Sequence, residues 1–115
     1  MRRVLKQETT DIVTQMLVAW VEEWAAINGR VEGYSVAGKT GTSQIAFKWK
    51  YETWVASTIG SYAWFAPAED PRFVILVKLD RPRTSPFWGS TSAFIFWEIA
   101  KELLGYYGIP KKSQN

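Results

Sequence analysis

Residues 33–46 read Gly33-Tyr34-Ser35-Val36-Ala37-Gly38-Lys39-Thr40-Gly41-Thr42-Ser43-Gln44-Ile45-Ala46, and two incompatible backbones compete for them. Gly33 to Thr40 satisfies the phosphate-loop pattern G-x-x-x-x-G-K-T, which cradles phosphates when a helix opens at the lysine. The apolar run from Phe73 to Leu79, ending at Asp80, mimics the strand and aspartate that hold magnesium in such proteins. The competing backbone is an extended strand from Tyr34 to Ala46. Glycines inside it, at 38 and 41, mark a bulge or the close approach of another backbone or a ligand. The flanks favour the strand. A polar turn precedes the motif where a phosphate loop needs a buried strand, and no helical period resumes until residue 90.

Upstream, Ile12, Val13, Met16, Leu17, Trp20, Val21 and Trp24 recur at helical spacing. They predict an amphipathic helix over residues 7–24 whose stripe is core, ended by Asn28-Gly29 and Gly33. Downstream, residues 47–53 suit a loop, and Val55 to Phe65 reads as a second strand. Ala66-Pro67-Ala68-Glu69-Asp70-Pro71 is a turn signal. Phe73 to Leu79 is apolar almost throughout, as in a central strand covered on both faces. After a Pro/Ser-rich connection over 81–89, a final helix is expected from Ser90, as N-cap, to Tyr107. Its inner face is Phe96, Ile99, Ala100, Leu103 and Tyr107, and Gly108 with Pro110 stops it. The fold class is therefore α+β: an antiparallel three-strand sheet segment flanked by an N-terminal and a C-terminal helix, residues 1–115 forming one unit.

Bulk properties narrow the function. The 115 residues are 47% apolar and 22% charged, which suits a folded chain rather than a disordered one. The net charge of +3 is scattered, whereas a nucleic-acid face gathers its cations on one stripe. With no cysteine and no histidine, disulfides, Cys/His zinc sites and Ser-His or Cys-His pairs are excluded within the chain. No cofactor and no metal are expected. No apolar run is long enough for a membrane span, and the N-terminus lacks a signal-peptide pattern.

Val36 to Ala46 carries K-T-G at 39–41. Phe65-Ala66-Pro67-Ala68-Glu69-Asp70-Pro71-Arg72-Phe73, then Asp80-Arg81-Pro82, Gly89-Ser90-Thr91, Glu98-Ile99-Ala100 and Tyr107-Gly108-Ile109-Pro110 follow in order. Together these resemble the C-terminal part of the transpeptidase domain of class B penicillin-binding proteins, which belong to the serine acyltransferases related to β-lactamases. The resemblance implies D,D-transpeptidation. A serine attacks a D-Ala-D-Ala stem peptide, a second stem's amine resolves the acyl-enzyme, and β-lactams acylate the same serine. It implies that Lys39 sets the electrostatics of the cleft and that Thr40 and Thr42 meet the substrate or β-lactam carboxylate. Gly41 keeps the backbone approachable, and the Thr42 N–H is half of an oxyanion hole. The implied partners are the peptidoglycan stem peptide, β-lactams and the remainder of the transpeptidase domain. The implied location is outside the cytoplasmic membrane, on an N-terminal anchor.

Two parts of the family pattern are missing. No serine here has a lysine three residues on, and Ser113-Gln114-Asn115 fits S-x-N only in the tail, after K-T-G, where the family has no motif. Without a nucleophile the chain alone is expected to be inactive. A phosphate-loop nucleotide-binding protein, or a non-catalytic module that binds stem peptides, stands as the alternative. Glu22, Glu23, Glu98 and Glu102 read as helix-surface carboxylates, and Ser57, Ser61 and Ser90 as structural serines. Trp24, Trp49, Trp54 and Trp64 stand where the resemblance leads one to expect glycine. A source that reads UGA as glycine, translated with UGA as tryptophan, produces that pattern, and the substituted positions should then be strained or exposed.

Overall fold

The computed structural model describes residues 2–23, 30–51, 58–81 and 88–112, with residues 88–92 described by their backbone alone. Helix α1 spans Gln7–Glu23, followed by strands β1 (Ala37–Gln44), β2 (Ala46–Phe47), β3 (Lys50–Tyr51), β4 (Thr58–Ala66) and β5 (Phe73–Asp80), and helix α2 (Trp88–Tyr106). β1, β4 and β5 form one antiparallel sheet in that order, with Gly38 opposite Trp64 and Trp64 opposite Ile75. β4 is the centre. Its inward residues Tyr62, Trp64 and Ala66 are fully buried because strand period 2 aims them at one face, where both helices lie. Trp20 of α1 meets Tyr62 edge-on, Tyr62 meets Trp64, and Trp64 stacks on Phe96 of α2 with ring centroids 4.5 Å apart. That aromatic row, with Val21, Ile75, Val77, Ala100 and Leu104, is the core.

Three expectations change. β5 is an edge strand among the described residues, with Val74 and Leu76 73% and 66% exposed on its outer face. A near-continuous apolar run signals cover on two faces, and the described residues supply only one. Likewise the apolar stripe of α1 is half used. Val21 is buried, whereas Ile12, Val13 and Met16 stay exposed because only the last turns of the helix reach the sheet. On α2 the inward face is Ala93, Phe96, Ala100 and Leu104. Ile99 and Tyr107 are exposed and Leu103 is half-buried, the helix having turned to seat Phe96 against Trp64.

Smaller differences follow from turn chemistry. Residues 47–53 were expected to be a loop, but Ala46–Phe47 and Lys50–Tyr51 pair as a short hairpin. Lys48 and Trp49 occupy its two-residue turn at φ of +41° and +68°. α2 begins at Trp88, so Ser90 lies inside the first turn rather than capping it. Its end is as expected. Gly108 takes φ of +60°, its N–H reaches the Gly105 carbonyl and the Ile109 N–H reaches Leu104, the paired bonds of a Schellman cap. Trp24 and Trp54 lie outside the described residues.

Trp49 is fully exposed. Trp64 behaves differently. It is 1% exposed and serves as the core's largest side chain, although its indole N–H finds no partner.

Candidate active-site strand

β1 carries the motif. Antiparallel register sets Lys39 opposite Ala63, Thr40 opposite Tyr62, Gly41 opposite Ser61 and Thr42 opposite Gly60. Pairing with β4 uses one edge of β1, and its other edge is open among the described residues. An open edge presents unpaired N–H and C=O groups to whatever lies beside it. Lys39, Gly41 and Thr42 are exposed and Thr40 is partly so, which puts a cation, two hydroxyls and a side-chain-free backbone on one accessible strand. All four predicted site residues are thus brought together on consecutive positions. The phosphate-loop geometry is absent here, because Ala37–Gln44 is extended and no helix opens at Lys39.

Local contacts hold the lysine. Its Nζ donates to the Thr40 carbonyl at 3.1 Å and to Thr40 Oγ1 at 3.3 Å, and it lies 4.3 Å above the centre of the Trp20 ring. A cation over an indole face is stabilised by about 0.5–1 kcal/mol at an exposed site. Trp20 read from the sequence as one more core position. The usable signal was its place in the last turns of α1, the part of the helix that reaches β1. Next to this strand Tyr62 is wholly buried with an unpartnered hydroxyl, and burial pushes its phenol well above the ordinary value.

Two glycines shape the strand for different reasons. A Cβ on Gly38 would come within 2.5 Å of the buried Trp64 ring, so the close approach forecast for this position is made by a side chain. At Gly41 the nearest atom is the Ser61 hydroxyl, 2.8 Å from such a Cβ, and that hydroxyl also reaches the Gly41 carbonyl at 3.5 Å. A cleft of about 490 Å³ lies elsewhere, between α1 and the Ser35–Glu69 region, and none of Lys39, Thr40 and Thr42 lines it. The candidate residues thus lie outside this cleft. Among the described residues no cluster of acidic or other ligating side chains could hold a metal, and no helix is long and apolar enough to cross a membrane.

Known proteins resemble this chain over nearly its whole length. A family model described as the penicillin binding protein transpeptidase domain matches residues 1–102. Stage V sporulation protein D of Bacillus subtilis is 38% identical over 117 residues, covering 98% of this chain and 18% of the relative. A probable peptidoglycan D,D-transpeptidase, PenA of Neisseria flavescens, is 30% identical over 94% of this chain and 27% of its own length. The apo transpeptidase domain of Burkholderia pseudomallei penicillin-binding protein 3 superposes with a TM-score of 0.83 at 28% identity, covering 98% of this chain and 34% of that one. Penicillin-binding protein 3 of Mycobacterium tuberculosis, solved with ampicillin, gives 0.81 at 30% identity. The chain spans about a fifth to a third of the length of these proteins.

Proposed function

This chain belongs to the penicillin-binding-protein transpeptidase family, and from that premise we propose that it is the lysine-bearing wall of a peptidoglycan D,D-transpeptidase site. The observation that carries the reading is Lys39-Thr40-Gly41-Thr42 displayed on a strand whose outer edge is open among the described residues, in a sequence where no serine has a lysine three residues on. The remainder of the domain provides the acylating serine, its lysine and the second motif. Lys39 supplies positive charge to the cleft. Thr40 and Thr42 hydrogen-bond the carboxylate of a D-Ala-D-Ala terminus or of a β-lactam. The Thr42 N–H donates to the oxyanion of the tetrahedral intermediate, where a single donor is worth about 2.7–4 kcal/mol. Gly41 keeps the strand low enough for an extended peptide to lie along it.

The same reading explains the uncovered apolar surface. Val74 and Leu76 on β5, and Ile12, Val13 and Met16 on α1, are where the rest of the domain packs. The parent protein works outside the cytoplasmic membrane on an anchor that precedes this segment. Alone, the chain catalyses nothing.

Release of D-alanine from a stem pentapeptide tests this. A protein carrying the segment within a whole transpeptidase domain should release it, and residues 1–115 alone should not. Magnesium-dependent ATP binding without D-alanine release would instead favour the phosphate-loop reading.

A further inference from the structure

We infer that the C-terminal tail Ile109–Lys112, together with the turn at Ala68-Glu69, positions β1 for acylation by fixing residues 33–35 ahead of it. This inference rests on the role proposed above for Lys39 and Thr42. Residues 33–35 are gripped from two sides. From the tail, the Lys112 N–H donates to the Gly33 carbonyl at 2.8 Å and Lys112 Nζ donates to Ser35 Oγ at 2.7 Å. The Tyr34 hydroxyl donates to the Ile109 carbonyl at 2.7 Å. From the turn, the Ala68 N–H donates to the Ser35 carbonyl at 2.9 Å, and the Glu69 carboxylate accepts from Lys112 Nζ.

The backbone is shaped for this grip. Gly33 sits at φ of +86° beneath the Lys111 side chain, so close that a Cβ there would lie 2.8 Å from Lys111 Cδ. Burial alone would raise the Glu69 carboxyl. Hydrogen bonds from Lys112, its own backbone and Ser35, with the Lys112 charge, outweigh burial and hold it below its ordinary value. Val36 and Ala37, the next two residues, are buried, and Lys39 follows two positions later on a stiff paired strand. A displacement of the tail is therefore passed along β1 to the groups that meet the substrate. Small misplacements of reacting groups are costly in rate.

The test uses a whole transpeptidase carrying this segment and measures acylation by a β-lactam, with affinity and acylation rate separated. The paired variant Tyr34→Phe/Lys112→Ala removes three tail bonds, Tyr34–Ile109, Lys112–Ser35 and Lys112–Glu69, without touching the motif. Its acylation rate should fall on the order of ten-fold while non-covalent affinity and thermal midpoint stay close to the parent's. Lys112→Arg, which keeps the charge and a donor, should recover most of the rate. A parent-like rate in the paired variant overturns the inference, as does a loss no larger than the loss of folded protein. Failure of the parent itself to acylate counts instead against the proposed function.

A second observation stands apart from the first. The turn between β2 and β3 has positive φ at both central residues, the type I′ geometry whose second position strongly favours glycine. Trp49 occupies that position with its side chain entirely in solvent, so no packing compensates the left-handed backbone. Seven tryptophans stand beside eight glycines in this chain, a ratio that prompts a codon-level explanation. We further infer that residue 49 is glycine in the protein as its source makes it, through UGA decoded as glycine. Codon 49 should be UGA, and the native peptide should carry glycine there; a UGG codon overturns the inference. In the whole domain, Trp49→Gly should raise the thermal midpoint by about 2–4 °C. An unchanged or lower midpoint contradicts the strain on which the inference rests.

Discussion

Lys39→Ala, made in a whole transpeptidase that carries this segment, is expected to slow acylation by penicillin on the order of 10²–10³-fold. The lysine is exposed in the middle of β1 and, among the described residues, its ammonium touches only Thr40 and the Trp20 face, so the fold does not need it. Its removal should cost stability no more than about the 0.5–1 kcal/mol of that cation–π contact. Rate and stability should thus separate. Lys39→Arg should recover only part of the rate, because a planar guanidinium replaces a compact charge at a site built around the ammonium. A stability loss matching the rate loss would show that Lys39 is an ordinary strand residue, and an unchanged acylation rate would remove it from the site.

The second large effect is structural. Gly38→Ala is expected to destabilise the domain by about 1–3 kcal/mol, the usual cost of forcing extra volume into a packed core. The built Cβ lies 2.5, 2.7 and 2.8 Å from three atoms of the Trp64 ring, and that ring is held between Tyr62 and Phe96. It cannot retreat, so β1 must lift from β4 at the pair next to Lys39. Gly41→Ala is the control, because among the described residues its Cβ meets only the Ser61 hydroxyl, which rotates away. Denaturant midpoints should put Gly38→Ala well below Gly41→Ala. Equal midpoints would mean that Trp64 is not the wall described here. Combining Gly38→Ala with Trp64→Ala should give less than the sum of the two losses, since the clash disappears with the ring.

The parts of this fold that were legible in sequence are those settled by local chemistry. Glycines at 38 and 41 between β-forming residues, prolines at 67 and 71, and Gly108 before Pro110 each demand one backbone, and β1, the β4–β5 turn and the end of α2 follow. β1, which carries the candidate residues, was readable as a strand for the same reason. What could not be read depends on neighbours. The apolar run of β5 is compatible with a central strand, and only the sheet order and the exposure of Val74 and Leu76 reveal that β5 lies at an edge with its outer face uncovered among the described residues. The stripe of α1 similarly gave no sign of how far the sheet extends beneath it. On α2 the choice of Leu104 over Leu103 was set by the fit of Phe96 against Trp64, a long-range contact. The β2–β3 hairpin was missed because Lys48-Trp49 carries none of the residues that signal its turn. Trp20 was noticed for its apolarity and not for the lysine it faces.

The central claim is that this chain is one wall of a serine transpeptidase whose nucleophile lies outside it. Peptide mapping of the whole protein after reaction with penicillin tests that most directly. A penicilloyl adduct on a serine beyond residues 1–115, with a lysine three positions later, is the predicted result. An adduct on Ser61 or any other serine of this segment, or no adduct on any serine, would contradict it.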